Sequence, residues 1–438
     1  MLTRIVVEAA LDGEMSEHMV YDNQAPGGCN RGNLRNGAVP TELGMPSKTV
    51  YRLNVQSRTD EMLADFRSVA LAGIAGMAVV NPSFGLRGGA ILAVLLLVSQ
   101  LGALRLSGAA LWATLYAATA VLSFGWTAVD RWGGVANVVA CVSLFLAGQV
   151  VIQRRRDVFL VAGGVVVGSM VGVVQLLLGQ GGELRWSYAP EAERIGLGDV
   201  NFNATAYSFA TAAALLTIFL FGSKRKGPSL LITITAGIAM YIGILLNGTR
   251  GALIGLIALL VWLSLARFHG ALFGWLIGLV ALLSLALSLG VLDGWFREIV
   301  GGASIRETGD LNGRLLIWPI ARDFIAERPV LGYGVDSFPV MNRLGIGAHN
   351  WVLDVTVGLG LVGLLIFARF LHLAIVVEPR QWHHPRRQTV VGAFVVVSTP
   401  IMLSGFWVQS PVLWLSLAVI AKLSVLKVPS GDCSGSVR

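Results

Sequence analysis

Charged residues are scarce in this chain of 438 amino acids. Asp, Glu, Lys and Arg together make up 13% of it, against about 25% in soluble domains. Hydrophobic residues make up 55%, and the mean hydropathy is +0.71. This composition excludes an ordinary soluble enzyme and predicts an integral membrane protein.

Cysteine is also rare, and recognisable cofactor motifs are absent from the sequence. Cys29 and Cys433 fall in polar tails and Cys141 falls in a hydrophobic run, so we expect neither a disulfide nor a cysteine metal site. The chain has no Walker-type phosphate loop, dinucleotide fingerprint or serine nucleophile elbow, and its predicted outer loops have no carboxylates at metal-ligand spacing. We therefore expect no metal, no nucleotide and no other cofactor.

Hydrophobic runs of about 20 residues are abundant, and each is long enough to cross about 30 Å of hydrocarbon. They do not alternate as barrel strands would, so their backbone must be satisfied within helices. We predict an all-α integral membrane protein with about twelve transmembrane helices. The runs are 68–82, 88–104, 109–126, 134–152, 158–179, 203–222, 228–246, 250–268, 270–292, 351–377, 389–406 and 410–427.

The distribution of basic residues predicts the orientation of these helices. With a cytoplasmic N-terminus, the inner connections contain most of the basic clusters, which is the positive-inside pattern. These clusters are Arg154-Arg155-Arg156, Lys224-Arg225-Lys226, Arg267, Arg380, Arg386-Arg387 and Lys427. Both termini are then cytoplasmic. The net charge of +8 is explained by these basic residues beside the membrane, so we expect no nucleic-acid partner.

This topology divides the chain into five parts. Residues 1–66 form a cytoplasmic leader, predicted to be mostly disordered because it mixes Gly, Asn, Pro and both signs of charge. Residues 67–292 carry helices one to nine, residues 293–350 form a large outer loop, and residues 351–427 carry helices ten to twelve. Residues 428–438 are a cytoplasmic tail.

The loop 293–350 is the largest polar region outside the leader. Within it, apolar residues at helical spacing predict an amphipathic helix at the membrane surface or against the bundle. These residues are Leu315, Ile317, Trp318, Ile320, Ala321, Phe324 and Ile325. Arg328-Pro329 should end this helix, and several glycines predict an irregular return towards His349.

Two sets of glycines recur at helical spacing inside predicted spans. Such spacing lets two helices approach closely in lipid. The sets are Gly164, Gly168 and Gly172, and Gly270, Gly274 and Gly278. We predict close helix packing at both and no chemistry.

His349 is the one histidine of six that this topology places on the outer face. It stands beside Asn350 at the mouth of a span, where an imidazole could accept a proton from a hydroxyl near neutral pH. On the residues alone, a structural histidine that caps the span or contacts lipid headgroups is an open alternative.

Two arginines on the same predicted face each follow a tight turn. Arg250 follows Asn247-Gly248-Thr249, where Thr249 is the predicted N-cap of a span, and Arg314 follows Asn312-Gly313 at the start of the amphipathic helix. An arginine at a helix N-terminus suits a phosphate or diphosphate. Contact with lipid phosphates is the alternative.

Several weaker candidates surround these three residues. Arg194, in the other long outer loop (180–202), is a third candidate for the diphosphate. Supporting positions are expected for Asn350, Trp318 and Tyr333, although each of these residue types is more often structural.

These residues resemble the O-antigen ligase family, together with the related O-antigen polymerases. Four motifs in the family's order carry the resemblance, which covers residues 67–427. They are Gly248-Thr249-Arg250-Gly251, Gly313-Arg314 with Ile317-Trp318, Arg328-Pro329-Val330-Leu331-Gly332-Tyr333-Gly334, and Ala348-His349-Asn350 with Gly358-Leu359-Gly360-Leu361-Val362-Gly363. The twelve-span layout with its large loop between spans nine and ten is similar too.

The resemblance implies a metal-independent, inverting glycosyltransferase in the bacterial inner membrane, active on the periplasmic side. It would transfer a glycan from undecaprenyl diphosphate to an acceptor hydroxyl without ATP, because the donor is already activated. Carried onto this chain, Arg250 and Arg314 would hold the diphosphate and His349 would activate the hydroxyl.

The acceptor and the class of activity remain open at this stage. A ligase would use lipid A core and a polymerase would use the next lipid-linked repeat unit; the single outer histidine in Ala348-His349-Asn350 favours the ligase. A transporter of lipid-linked glycans would use the arginines for binding alone. A peptidoglycan polymerase would need an outer carboxylate, for which Asp310 or Asp336 would have to serve.

Overall fold

Helices dominate the computed structural model of the chain. The structure describes residues 48–100, 107–127, 129, 132–180, 182–183, 195–197, 202–222, 228–265, 271–292, 314–376, 385–403 and 408–423. Two compact units divide the chain, at residues 1–63 and 64–438. The helices and sites below lie in the second unit, apart from the start of the first helix.

Fourteen α-helices are found within the described residues. They are α1 (Lys48–Val80), α2 (Pro82–Val98), α3 (Gly108–Leu122), α4 (Trp132–Val151), α5 (Arg155–Leu177), α6 (Phe202–Gly222), α7 (Pro228–Asn247), α8 (Arg250–Leu265), α9 (Ala271–Ser288), α10 (Arg314–Glu327), α11 (Phe338–Met341), α12 (Trp351–Ile375), α13 (Pro385–Met402) and α14 (Pro411–Ala421). A 3₁₀ turn, Ser123–Gly125, follows α3. Two short antiparallel strands, β1 (Gly182–Glu183) and β2 (Ile195–Gly196), pair Gly182 with Gly196 and Glu183 with Ile195.

Seven of these helices contain segments long and apolar enough to cross a membrane. The segments are Glu61–Val80, Gly108–Gly125, Trp132–Val151, Arg155–Leu177, Asn203–Phe221, Leu230–Asn247 and Trp351–Ile375. Five shorter apolar helices occupy the other predicted runs: Pro82–Val98, Arg250–Leu265, Leu272–Ser288, Arg387–Met402 and Pro411–Ala421. The all-α class is therefore confirmed. Twelve spans, the extent of the outer loop and the cytoplasmic termini remain predictions.

The predicted domain boundaries are only partly covered by the described residues. Helix α1 begins at Lys48, within the predicted leader 1–66, and residues 1–47 of that leader lie outside the description. Residues 293–313 of the predicted loop 293–350 also lie outside it. The boundaries therefore stay predictions.

Helices α1 and α5 approach closely at the first predicted set of glycines. A methyl group on Gly164 would lie against the carbonyl oxygen of Ala72, and one on Gly168 would lie against that of Gly76. The absence of side chains at these two positions brings the backbones together, as their spacing predicts.

The second set of glycines behaves differently. Nothing among the described residues lies within 4 Å of a methyl group built on Gly274 or Gly278, and Gly270 is outside the described residues. Helix α9 turns much of its surface outward here, with Trp275 78% exposed. The predicted close packing at Gly274 and Gly278 is therefore wrong within the described part of the chain, because the same spacing also occurs on an outward face.

An aromatic cluster in the main core fixes the position of α12. Trp414 of α14 stacks on Phe370 of α12, with ring centroids 4.9 Å apart, and Phe145 of α4 meets Phe370 edge-on at the same distance. Tyr116 of α3 lies 4.9 Å from Phe367. Packed aromatic pairs such as these add to the stabilisation from burial alone.

A second hydrophobic cluster attaches α10 to the N-terminal end of α12. Ile317, Trp318 and Ala321 of α10 are buried against Leu353 and Val357 of α12. The helical spacing of the apolar residues therefore predicts both the helix and its buried face correctly.

Helix α12 is interrupted at Gly360, where the backbone adopts φ +65° and ψ −169°. The segment Arg328–Gly334 lies against this break. Tyr333 and Gly334 donate their N–H groups to the carbonyls of Val357 and Gly358, at 2.9 and 2.7 Å.

The same segment also accepts hydrogen bonds from the far side of the break. Leu361 N donates to Pro329 O at 2.8 Å, and Val362 N donates to Val330 O at 3.3 Å. In an unbroken helix, Leu361 and Val362 would bond to the carbonyls four residues earlier. Two helical hydrogen bonds are thus replaced by four bonds to the loop, so these polar groups are not left unsatisfied inside an apolar bundle.

A methyl group at Gly360 should disrupt this arrangement. Alanine is disfavoured at φ +65° and ψ −169°, a backbone region that essentially only glycine occupies, and its Cβ would also overlap the Val330 carbonyl. We expect Gly360→Ala to lower the thermal midpoint of the detergent-solubilised protein well beyond the effect of Gly345→Ala. Gly345 has a similar φ of +67° but open space around it. Equal losses in the two variants would contradict the role of the break.

Candidate functional site

His349 has a left-handed backbone conformation, with φ +55°. This region is uncommon for residues other than glycine and costs of order 1–3 kcal/mol. Such a conformation persists only when neighbouring groups hold it in place. It turns the chain sharply between the end of the irregular segment and the first residue of α12, Trp351.

A carboxylate from α12 holds the backbone around His349. Asp354 Oδ1 accepts a hydrogen bond from Ala348 N at 2.8 Å, and Oδ2 accepts one from Asn350 N at 3.2 Å. The His349 N–H also interacts with this carboxylate. From the other side, Trp318 Nε1 donates to Ala348 O at 2.9 Å. Helix α10 and the first turn of α12 together therefore fix the backbone that carries the imidazole.

Asn350 caps α12 and is completely buried. Its Oδ1 accepts a hydrogen bond from Val352 N at 3.0 Å, which satisfies one of the free N–H groups at the helix start. Its amide nitrogen donates to Ser288 Oγ, at the end of α9, at 3.3 Å. The position of Asn350 is therefore structural: it orients the start of the helix behind His349.

The imidazole of His349 is neutral at physiological pH. Burial lowers its pKa, and repulsion from the Arg314 guanidinium lowers it further, to about 4. A neutral imidazole has one ring nitrogen that can accept a proton. The site therefore holds this side chain in the form that a base requires.

Arg314 is the first residue of α10 and interacts electrostatically with the other two predicted site residues. Burial lowers the pKa of its guanidinium, the nearby Tyr207 phenol of α6 raises it, and the charge of Arg250 lowers it. The guanidinium remains charged at physiological pH. Arg250 and His349 thus both interact electrostatically with Arg314, and the structure brings the three residues together.

Asn247 and Thr249 in the turn before Arg250 are buried, although Gly248 and Arg250 are exposed. Gly248 has φ +71°, and Thr249 occupies the N-cap position of α8. The Thr249 hydroxyl donates to Asn203 Oδ1 of α6 at 3.1 Å and also bonds to Asn247. These contacts fix the turn against α6, so the backbone from which Arg250 extends is anchored.

Tyr333 belongs to the loop that supports the break in α12. Its hydroxyl donates to Glu327 Oε2 at 2.6 Å, and the Arg328 guanidinium lies 4.7 Å from its ring centroid. Together with its backbone bond to Val357 O, these contacts give it a structural position.

The remaining candidates are placed as follows. Arg194 and Asp310 lie outside the described residues. Asp336, the alternative carboxylate, accepts a hydrogen bond from Gln409 Nε2 at 3.2 Å and has φ +58°. Arg322 Nε donates to Trp318 O at 3.3 Å, one turn back in its own helix.

The sequence indicates Asp354 only as a residue that could position other groups, and it does not predict which groups Asp354 holds. A carboxylate in the first turn of a helix, four residues after an asparagine N-cap, is a signal for contact with free N–H groups. That signal does not distinguish ordinary capping from support of a neighbouring left-handed residue. The difference depends on the conformation of His349, which the sequence does not reveal.

Comparison with known proteins identifies the part of the chain that contains this site. Residues 235–368 match the family model described as O-antigen ligase. No curated protein matches the chain. The matched segment includes Arg250, Arg314, His349 and the break at Gly360. The match confirms the resemblance found in the motifs and assigns this segment, with the site that it carries, to the O-antigen ligase family.

Proposed function

We propose that this protein transfers a glycan from undecaprenyl diphosphate to an acceptor hydroxyl at the periplasmic face of the bacterial inner membrane. The observation that carries the proposal is the grouping of two guanidinium groups with a neutral imidazole, in which Arg314 interacts with both Arg250 and His349. The family match supports glycosyl transfer of the O-antigen ligase type.

In this proposal, Arg250 and Arg314 bind the diphosphate of the donor. Two like charges held close together repel each other, and an anion between them relieves the repulsion. As the bond between the anomeric carbon and the diphosphate oxygen breaks, negative charge develops on the leaving group. Fixed guanidinium groups stabilise that charge without reorganising.

His349 acts as the base towards the acceptor. The acceptor oxygen attacks the anomeric carbon from the face opposite the diphosphate, and its proton passes to the neutral imidazole. One C–O bond forms and one breaks, so the configuration at that carbon inverts. The bound diphosphate offsets the charge of Arg314, which raises the proton affinity of His349 only when the donor is in place.

The charges that a divalent metal would supply come from arginine in this scheme. No nucleotide is required, because the diphosphate is already a good leaving group. The lipid A core is the favoured acceptor. The alternative is a polymerase that joins lipid-linked repeat units, because the motifs resemble O-antigen polymerases as well.

The central experiment incubates purified protein with an undecaprenyl-diphosphate glycan and either lipid A core or a second lipid-linked glycan, in excess chelator. We expect transfer to proceed, and His349→Asn to reduce it at least about 100-fold, the usual contribution of a general base. Asparagine tolerates the left-handed backbone, so the fold is retained while the base is lost. Mass analysis of the product identifies the acceptor.

Two outcomes would contradict this mechanism. Full transfer by a folded His349→Asn protein would show that His349 is not the base. If chelator abolished transfer and added Mg²⁺ restored it, the reaction would depend on a metal. Binding of the donor without transfer to any acceptor would favour the transporter.

The arginines are tested by comparing three single substitutions. We expect Arg250→Ala and Arg314→Ala each to reduce kcat/KM for the donor about 100-fold, as for other groups that stabilise a developing anion. Arg322→Ala is the matched control, because Arg322 lies on the same helix as Arg314 but bonds back to that helix. Similar losses in all three variants would indicate that the arginines only anchor the segment.

The acidic limb of the pH–rate profile reports the protonation of His349. Because its pKa lies at about 4 in the free protein, kcat/KM for the donor should stay constant down to about pH 5 and fall below it. An unperturbed histidine would lose half its activity near about pH 6.5. Measurements in liposomes, with recovery at neutral pH as the control, distinguish these cases. An acidic limb near pH 6.5 would show that burial and Arg314 do not lower the pKa of His349.

A further inference from the structure

A half-open cavity lies against Asp354, and Arg250, Arg314 and His349 are not among the residues that line it. It is bounded by α3, the segment 335–339, the first turns of α12 and the residues that precede α14. Its volume is about 30 Å³, which has room for a hydroxyl group or a water molecule.

The polar groups of this cavity come from distant parts of the chain. Tyr116, Asp336, Asp354 and Gln409 line it, among otherwise mainly apolar residues. Tyr116 is only 3% exposed and lines the cavity. Its hydroxyl can donate and accept a hydrogen bond with a ligand there.

The orientation of the Gln409 side chain is fixed from behind. Its Oε1 accepts a hydrogen bond from Asn137 Nδ2 at 3.1 Å, and its Nε2 donates to Asp336 Oδ1 at 3.2 Å. Asp336 itself stands on a left-handed backbone. The carboxylate of Asp336 is therefore held in a fixed position, as in a preformed binding site.

The chemistry of the lining selects a neutral, hydroxyl-bearing ligand. The carboxylate of Asp336 disfavours a phosphate here, so the diphosphate of the donor is directed to the arginines instead. Sugar hydroxyls can donate to the carboxylates of Asp336 and Asp354 and can bond to the phenol of Tyr116. The apolar part of the lining suits the carbon face of a sugar ring.

One carboxylate connects this cavity to the proposed base. Asp354 lines the cavity, and its Oδ1 accepts the hydrogen bond from Ala348, the residue before His349. His349 thus interacts with Arg314 through its imidazole and with Asp354 through its backbone N–H. Inverting transfer requires the acceptor to approach opposite the leaving group, so it requires a binding site separate from that of the diphosphate.

We propose that the cavity beside Tyr116, Asp336 and Gln409 binds the sugar of the acceptor through its hydroxyl groups. The inference rests on the proposed glycosyl transfer and adds a specific place for the acceptor. It applies to a ligase and to a polymerase alike, because both use a sugar hydroxyl.

The kinetic test uses Tyr116→Phe, which removes one hydroxyl and keeps the ring packed on Phe367. We expect the KM for the acceptor to rise about tenfold, the effect of losing one hydrogen bond to the ligand, while the KM for the donor stays unchanged. Tyr241→Phe is the matched control, since Tyr241 is 46% exposed on α7, and it should change neither value. An unchanged KM for the acceptor in Tyr116→Phe would overturn the proposal.

A labelling test gives a readout that does not depend on activity. Gln409→Cys, in a protein with Cys29→Ser and Cys433→Ser, is treated with a water-soluble maleimide. Dephosphorylated core oligosaccharide, or the donor glycan released from its lipid, should slow labelling; undecaprenyl phosphate should not. Protection by neither saccharide, or by undecaprenyl phosphate instead, would overturn the proposal. Full transfer by His349→Asn would contradict the proposed mechanism, but the saccharides would still protect Gln409→Cys from labelling. Failure of the mechanism is therefore distinguishable from failure of the acceptor site.

Discussion

The exchange of backbone hydrogen bonds at Gly360 is the constraint on which the site depends. A break inside an apolar helix leaves N–H and C=O groups without partners, and in hydrocarbon each of them costs several kcal/mol. The segment Arg328–Gly334 supplies partners on both sides of the break. In return, the break fixes the path of that segment between α10 and Asp336. The break in α12 is stable only when the segment Arg328–Gly334 packs against it. That segment in turn is held in place by its hydrogen bonds to the break.

This mutual dependence explains the character of two of the family motifs. The motif at Arg328–Gly334 and the glycine-rich motif that begins at Gly358 contribute mainly backbone contacts to one another. Gly332 and Gly360 both have positive φ, and a methyl group on either would overlap the backbone of the opposing motif. Their restricted composition is therefore a requirement of close backbone approach, whereas the arginines proposed to bind the diphosphate belong to the other two motifs.

The sequence predicts the features that depend on local composition, and it misses those that depend on long-range contact. Apolar runs predict the positions of the helices, and helical spacing predicts α10 and its buried face, because a helix satisfies its own backbone and needs only one apolar side. The break in α12 is not visible, since Gly358–Gly363 also suits an ordinary packed helix. The pairing of Asn137 with Gln409, 272 residues later, has no local signal at all. At Gly274 the sequence predicts a close helix contact that is absent among the described residues, because glycine spacing permits close packing but does not require it.

The electrostatic arrangement around His349 connects these structural constraints to the order of events in the proposed reaction. Burial and the charge of Arg314 keep the imidazole neutral but weakly basic in the free protein. A diphosphate bound to Arg314 and Arg250 would reduce the repulsion and strengthen the base at the moment when a donor is available. Water that enters the empty site would meet a weak base, which disfavours wasteful hydrolysis. In the proposed mechanism, the same arginine would bind the leaving group and regulate the base, so the donor would activate the site.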